Sequence, residues 1–137
     1  MIKKILILTF VFLGLTACSL DNTDEPNYSF ELLPVKTATV PAEFHYGESA
    51  IIKVTFDLPS TCYYFYSLYY EYQGNSRIVA INSQVIKSTG CFESVVEEEY
   101  EFNVQVMQRE DYTFKFWKGT DTSGNDIFEE IVVPVVD

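Results

Sequence analysis

Glu98-Glu99-Tyr100-Glu101-Phe102-Asn103-Val104-Gln105-Val106 carries the pattern that decides the class of fold. Tyr100, Phe102, Val104 and Val106 fall on one side of an extended chain, while Glu99, Glu101, Asn103 and Gln105 fall on the other. Successive side chains of a strand point to opposite faces, so a period of two predicts a strand with one buried and one wetted face. Ile52, Val54 and Phe56 alternate with Lys53, Thr55 and Asp57 in the same way, within a strand expected over residues 50–58. Tyr112, Phe114 and Phe116 repeat the pattern against Thr113, Lys115 and Trp117.

The segments between these runs read as further strands and turns. Residues 28–33 and 35–40 are two short strands interrupted by Pro34, which cannot donate to a sheet ladder. Gly47 and Glu48 make a turn. Pro59 and Ser60 introduce an aromatic segment over 61–72, and Gln73-Gly74-Asn75-Ser76 turns it into a returning strand over 77–87. Ser88-Thr89-Gly90 turns again, 119–126 forms a loop, and 127–135 is the last strand. No helical apolar stripe and no internal repeat interrupts this series. Seven or eight mostly antiparallel strands predict an all-β chain folded as a β-sandwich over residues 28–137.

Asp111-Tyr112-Thr113-Phe114-Lys115-Phe116-Trp117, followed by Gly119-Thr120-Asp121-Thr122-Ser123-Gly124-Asn125, resembles the end of a bacterial immunoglobulin-like domain. Such domains finish with a Tyr-led alternating strand, an Asp-x-x-Gly-Asn hairpin and a final strand. The resemblance implies an immunoglobulin-like sandwich with Tyr112 as a tyrosine corner, its hydroxyl tied to backbone upstream. Cys62 opens the aromatic strand and Cys91 lies in a later turn, so the inter-sheet disulfide of antibody domains is not reproduced.

The start of the chain carries an address. Met1-Ile2-Lys3-Lys4 is a short basic segment, residues 5–15 are apolar, and Leu15-Thr16-Ala17-Cys18 resembles the lipobox of bacterial lipoproteins. The apolar run is too short to span a bilayer and has the length of a signal peptide. Residues 1–17 are therefore expected to be removed, with Cys18 taking up the lipid and residues 18–27 forming a polar tether kept non-helical by Pro26. No other stretch is apolar enough to cross a bilayer. Ser19, in place of the Asp typical of inner-membrane retention, implies the outer membrane. Asp21, Asp24 and Glu25 resemble a cue for surface export, but an acidic tether is also simply a solvated spacer. The periplasmic and cell-surface sides therefore both stay open. The whole chain resembles small single-domain lipoproteins of Gram-negative bacteria.

The chain has 137 residues, enough for one domain, with 9 basic and 20 acidic residues and a net charge of −11. That balance argues against nucleic acid and against charge-driven docking on anionic lipid. Aromatic residues make up 16%, which argues against a disordered polyelectrolyte. Setting Cys18 aside, Cys62 and Cys91 form an even pair outside the cytoplasm and read as a disulfide.

Catalytic constellations are absent from the pattern. His45 is the single histidine and has no motif around it. Glu97, Glu98, Glu99 and Glu101 are dense enough to raise a carbohydrate-active carboxylate pair, but Glu99 and Glu101 fall on the wet face, without the burial that a general acid needs. A non-enzyme without cofactor is expected. Asp121, Asn125 and Asp126 offer oxygen ligands at spacings that suit Ca²⁺, but the closing bidentate Glu of an EF-hand is missing, and a Gly-Asn hairpin needs no ion.

Cys62-Tyr63-Tyr64-Phe65-Tyr66-Ser67-Leu68-Tyr69-Tyr70-Glu71-Tyr72 is aromatic on both faces of a strand. One set must meet solvent, another element or a ligand. Strict alternation puts Tyr64, Tyr66, Leu68, Tyr70 and Tyr72 together, and Trp117, expected to point outward, extends the set if its strand is adjacent. Tyrosine combines ring area with a hydroxyl that tolerates water, which suits a binding face. The expectation is an outer-membrane-anchored, non-catalytic binding module. Its partner is an unidentified protein or glycan, and the alternative role is that of an accessory subunit of a periplasmic or outer-membrane assembly.

Overall fold

The computed structural model describes residues 25–137. The expected signal peptide, Cys18 and the tether up to residue 24 lie outside the described residues. Ten strands run through the rest: β1 (Tyr28–Leu33), β2 (Thr37–Thr39), β3 (Phe44–His45), β4 (Ser49–Ser60), β5 (Tyr63–Gln73), β6 (Ser76–Ile86), β7 (Glu93–Gln105), β8 (Tyr112–Thr120), β9 (Asp126–Val133) and β10 (Val135–Val136). Three of them are only two or three residues long, so the substantial strands number seven, within the expected range.

The strands form two facing sheets, an immunoglobulin-like β-sandwich. One sheet has five strands, with β6 at its centre. β5 runs antiparallel along one side of β6. The other side is shared: β1 pairs antiparallel with Leu33-to-Ile81 register at its end, and β8 pairs parallel with Ser76 through Val79. β9 completes the sheet against β8. The second sheet is β2-β4-β7, and the short parallel pair β3/β10 makes a third. Pro34 stands where the chain crosses between sheets. Immediately after it, Val35 N–H donates to the Trp117 carbonyl of one sheet and Lys36 N–H to the Thr55 carbonyl of the other.

Alternation explains the core. Ile52, Val54, Phe56 and Leu58 of β4 are buried, as are Tyr112, Phe114 and Phe116 of β8, Val104 near the end of β7 and Val106 just beyond it. They join Phe44, Val79, Ile81 and Val133 in one cluster. Tyr112, Phe114 and Phe116, two residues apart along β8, stack with centroids 6.0 Å apart, and Phe44 meets the first two edge-on. The Tyr112 hydroxyl accepts the backbone N–H of Met107 at 3.2 Å, the upstream tie expected of a tyrosine corner.

Cys62 and Cys91 are joined. Their bridge links the β4–β5 turn to the β6–β7 connection, where Thr61 N–H also donates to the Phe92 carbonyl and Ile86 N–H to the Cys62 carbonyl. On the wet face of β4 and β7, Lys53 pairs with Glu99 and Glu101, and Lys36 with Asp57 and Glu97. These carboxylates are exposed, as the alternation requires, and they raise the pKa of both lysines, mainly by hydrogen bonding. A row of charge along β7, which among the described residues pairs only with β4, also discourages edge-to-edge association.

Candidate functional site

Strict alternation along the aromatic strand needs one correction. The pairing of β5 with β6 shifts between Phe65 and Ser67, leaving Tyr66 as the extra residue of a bulge. A bulge reverses which parity faces inward beyond it. Tyr63 and Phe65 before the bulge, and Leu68 and Tyr70 after it, therefore pack against the core cluster. Phe65 lies 5.7 Å from Phe56 and 4.7 Å from Tyr100, and Tyr70 lies 5.8 Å from Phe102. Tyr64 and Tyr66 stand on the opposite, outer face, 53% and 57% exposed. The six residues expected to share a face are thus split: Tyr64, Tyr66 and Trp117 lie outside, while Leu68, Tyr70 and Tyr72 line a cleft between the sheets.

The outer face is broader than the tyrosine strand alone. β1 contributes Tyr28, Phe30 and Leu32, all exposed. Freed by the bulge, the Tyr66 ring reaches across β6 to lie 4.7 Å from Phe30, and Tyr28 meets Phe30 edge-on at 5.6 Å. Further along the same face, Leu32, Tyr69, Ile78, Ala80, Trp117 and Phe128 line a shallow depression of about 170 Å³. Trp117 is fixed there by its indole N–H, which donates to Asp126 Oδ1 at 2.9 Å. The Tyr69 hydroxyl donates to the Glu71 carboxylate, which raises its pKa. The result is an aromatic surface drawn from five strands. Sequence reading identifies Tyr64, Tyr66 and Trp117, but strict alternation puts Tyr69 on the opposite face, and the bulge brings it to this one. The β1 members and Phe128 are missed because their place depends on long-range pairing, although Tyr28, Phe30 and Leu32 do show the period of two.

The remaining candidates take other roles. The Asp121 carboxylate accepts the backbone N–H groups of Ser123 and Asn125 and the side-chain amide of Asn125. Those bonds hold its pKa below the ordinary carboxylate range, with the Asn125 backbone N–H the largest cause. They brace the β8–β9 hairpin, where Gly124 adopts a φ of 82°. Asp126 is engaged with Trp117, so the two carboxylates considered for Ca²⁺ already have N–H partners. Among the described residues no group of three or more His, Cys, Asp or Glu is placed to hold a metal ion. His45 sits exposed in β3, 3.6 Å from Glu43.

The architecture and its open aromatic face define a small β-sandwich domain. The family model of the ORF11 beta-sandwich domain matches residues 52–133, from within β4 to the end of β9, and the chain belongs to that family. No curated protein and no solved structure matches it.

Proposed function

We propose that the protein is an outer-membrane-anchored lipoprotein, held through lipid on Cys18, that acts as a non-catalytic binding module. Its contact surface is the outer face of the five-stranded sheet. The observation that carries this reading is the continuity of that face: Phe30, Tyr64 and Tyr66 are each about half exposed, and the Phe30 and Tyr66 rings lie 4.7 Å apart across β6. Water-facing aromatic area of this extent is the mark of an interaction site. The anchor rests on the order of basic segment, apolar run and Leu15-Thr16-Ala17-Cys18. Several buried acyl chains, at about 0.8 kcal/mol per methylene, hold such a protein firmly to a membrane.

A second reading is that the domain is an accessory subunit of a periplasmic or outer-membrane assembly. It is favoured by β5 and β7, each of which pairs with one neighbour only among the described residues, leaving edges open to strand addition.

Protease treatment of intact cells separates the two. Digestion before the membrane is breached supports a surface binder, and protection in intact cells with digestion after lysis supports the periplasmic role. Cys18→Ala must abolish incorporation of labelled palmitate into the protein; a variant that still takes up the label, or a wild type that does not, would overturn the anchor. Serine at both Tyr64 and Tyr66 is expected to leave a folded domain. If it unfolds, those rings are core and the contact face is lost as a hypothesis.

A further inference from the structure

The sandwich has a second concavity, on the inner side of β5. A cleft of about 520 Å³ opens between Tyr70, Tyr72 and Arg77 on one wall and Phe102, Asn103 and Met107 on the other. Arg77 sets its chemistry. The residue is only 6% exposed, and its guanidinium lies between two rings, 4.3 Å from the centroid of Tyr72 and 4.9 Å from that of Tyr112. Nη1 donates to the carbonyls of Gly74 and Ser76, and Nη2 to Gln108 Oε1. All three acceptors are neutral, and Nε is buried without a partner.

The surroundings make this cation unusual. Lys36, Lys53, Arg109, Lys115 and Lys118 each pair with a carboxylate of the described residues, whereas Arg77 and the exposed Lys87 do not. In a chain of net charge −11, the one buried cation among the described residues has no carboxylate partner there. A buried guanidinium with an unused donor and no counter-charge carries an uncompensated desolvation cost. An anion completing its planar fork relieves that cost. The net negative charge of the chain repels a dianion more than a monoanion, which favours carboxylate over phosphate. Tyr72 is 71% exposed and forms the solvent-side cover of the guanidinium, so a rotation of one surface side chain opens the approach. The hydroxyls of Tyr70 and Tyr72 supply neutral donors and acceptors beside an apolar wall. That combination suits a ring with one hydroxyl-bearing edge and one C–H face.

We propose that this cleft binds a carboxylate-bearing sugar of the uronic acid class, with Arg77 taking the carboxylate and Tyr72 covering the ring. The site is separate from the outer aromatic face, and either stands if the other fails. The probes are D-glucuronate and D-glucose, which differ at the carboxylate carbon, titrated into ¹⁵N-labelled full-length protein in detergent. The Arg77 Nε–H resonance should shift with glucuronate, and glucose should bind about tenfold more weakly or worse. Arg77→Lys, which keeps the charge and loses the fork, should abolish the preference. Tyr72→Ser, at an exposed position that spares the fold, should weaken glucuronate binding and keeps the test valid if Arg77→Lys does not fold. Equal affinity for the two sugars, or binding of neither, overturns the proposal. So does binding of N-acetylphenylalanine without glucuronate, which would make the site a peptide carboxylate site.

Discussion

Removing the Cys62–Cys91 bridge is the perturbation whose size follows most directly from the structure. The two cysteines are 29 positions apart in sequence. In the chain-entropy account, closing a loop of that length removes about 3.6 kcal/mol of conformational freedom from the unfolded state. Backbone pairing on either side of the bridge, β4 with β7 and β5 with β6, is extensive in the native sheets, so the folded state should survive its loss. The double variant Cys62→Ser, Cys91→Ser should therefore remain folded, with urea unfolding shifted to lower denaturant at similar slope and a melting temperature lower by about 15 °C. Oxidised wild type should fall to the variant's stability when a reductant is added, and the variant itself should not respond. A loss below about 1 kcal/mol would refute the reasoning, because it would mean that the unfolded chain is already closed there or that the native bridge is strained by a compensating amount.

Three further outcomes follow from individual contacts. Tyr112→Phe keeps the stacked ring but strips the Met107 N–H of its acceptor, at a position 2% exposed. The expected cost is about 1–3 kcal/mol by chemical denaturation, and a neutral result would remove the tyrosine corner from the stabilising contacts. Burial pushes the Tyr70 hydroxyl up to about 12, partly opposed by Arg77. Stability contributed by its neutral form is complete below pH 10 and declines as pH climbs through that window. Tyr70→Phe should flatten this alkaline limb. Asp121 has the opposite sign: its pKa is lowered, so its contribution is present above the ordinary carboxylate range and is lost on acidification. Asp121→Ala should lower the melting temperature at neutral pH equally in Ca²⁺ and in chelator, and a Ca²⁺-dependent difference would restore the loop as an ion site.

The period of two made most of the sandwich legible. β1 coincides with the expected residues 28–33, and the buried positions of β4, β7 and β8 are those named by alternation. Local pattern cannot show where a register slips. Pro59 reads as the start of the aromatic segment, yet β4 continues to Ser60 by a pairing irregularity that leaves Pro59 out of the ladder. The bulge at Tyr66 has no comparable residue signal, and it is what separates Tyr64 and Tyr66 from Tyr70 and Tyr72. Arg77 escaped notice because its neighbours are set by the fold, although it occupies the first place in the alternating series Arg77, Val79, Ile81, Ser83, all buried. The parallel pairing of β6 with β8 is likewise invisible to alternation, since parity says which face a side chain takes and nothing about strand order.

The outer aromatic face is the centre of the functional proposal, and crosslinking from the anchored protein in its own cells tests it most directly. A photoreactive phenylalanine analogue at Tyr66 sits on that face, and one at Thr55 sits on the wet side of the three-stranded sheet. Illumination should give a discrete higher-mass adduct from position 66 and none from position 55, and serine at Phe30 and Tyr64 should diminish it. Adducts from position 55 alone, or from neither position, would contradict the account.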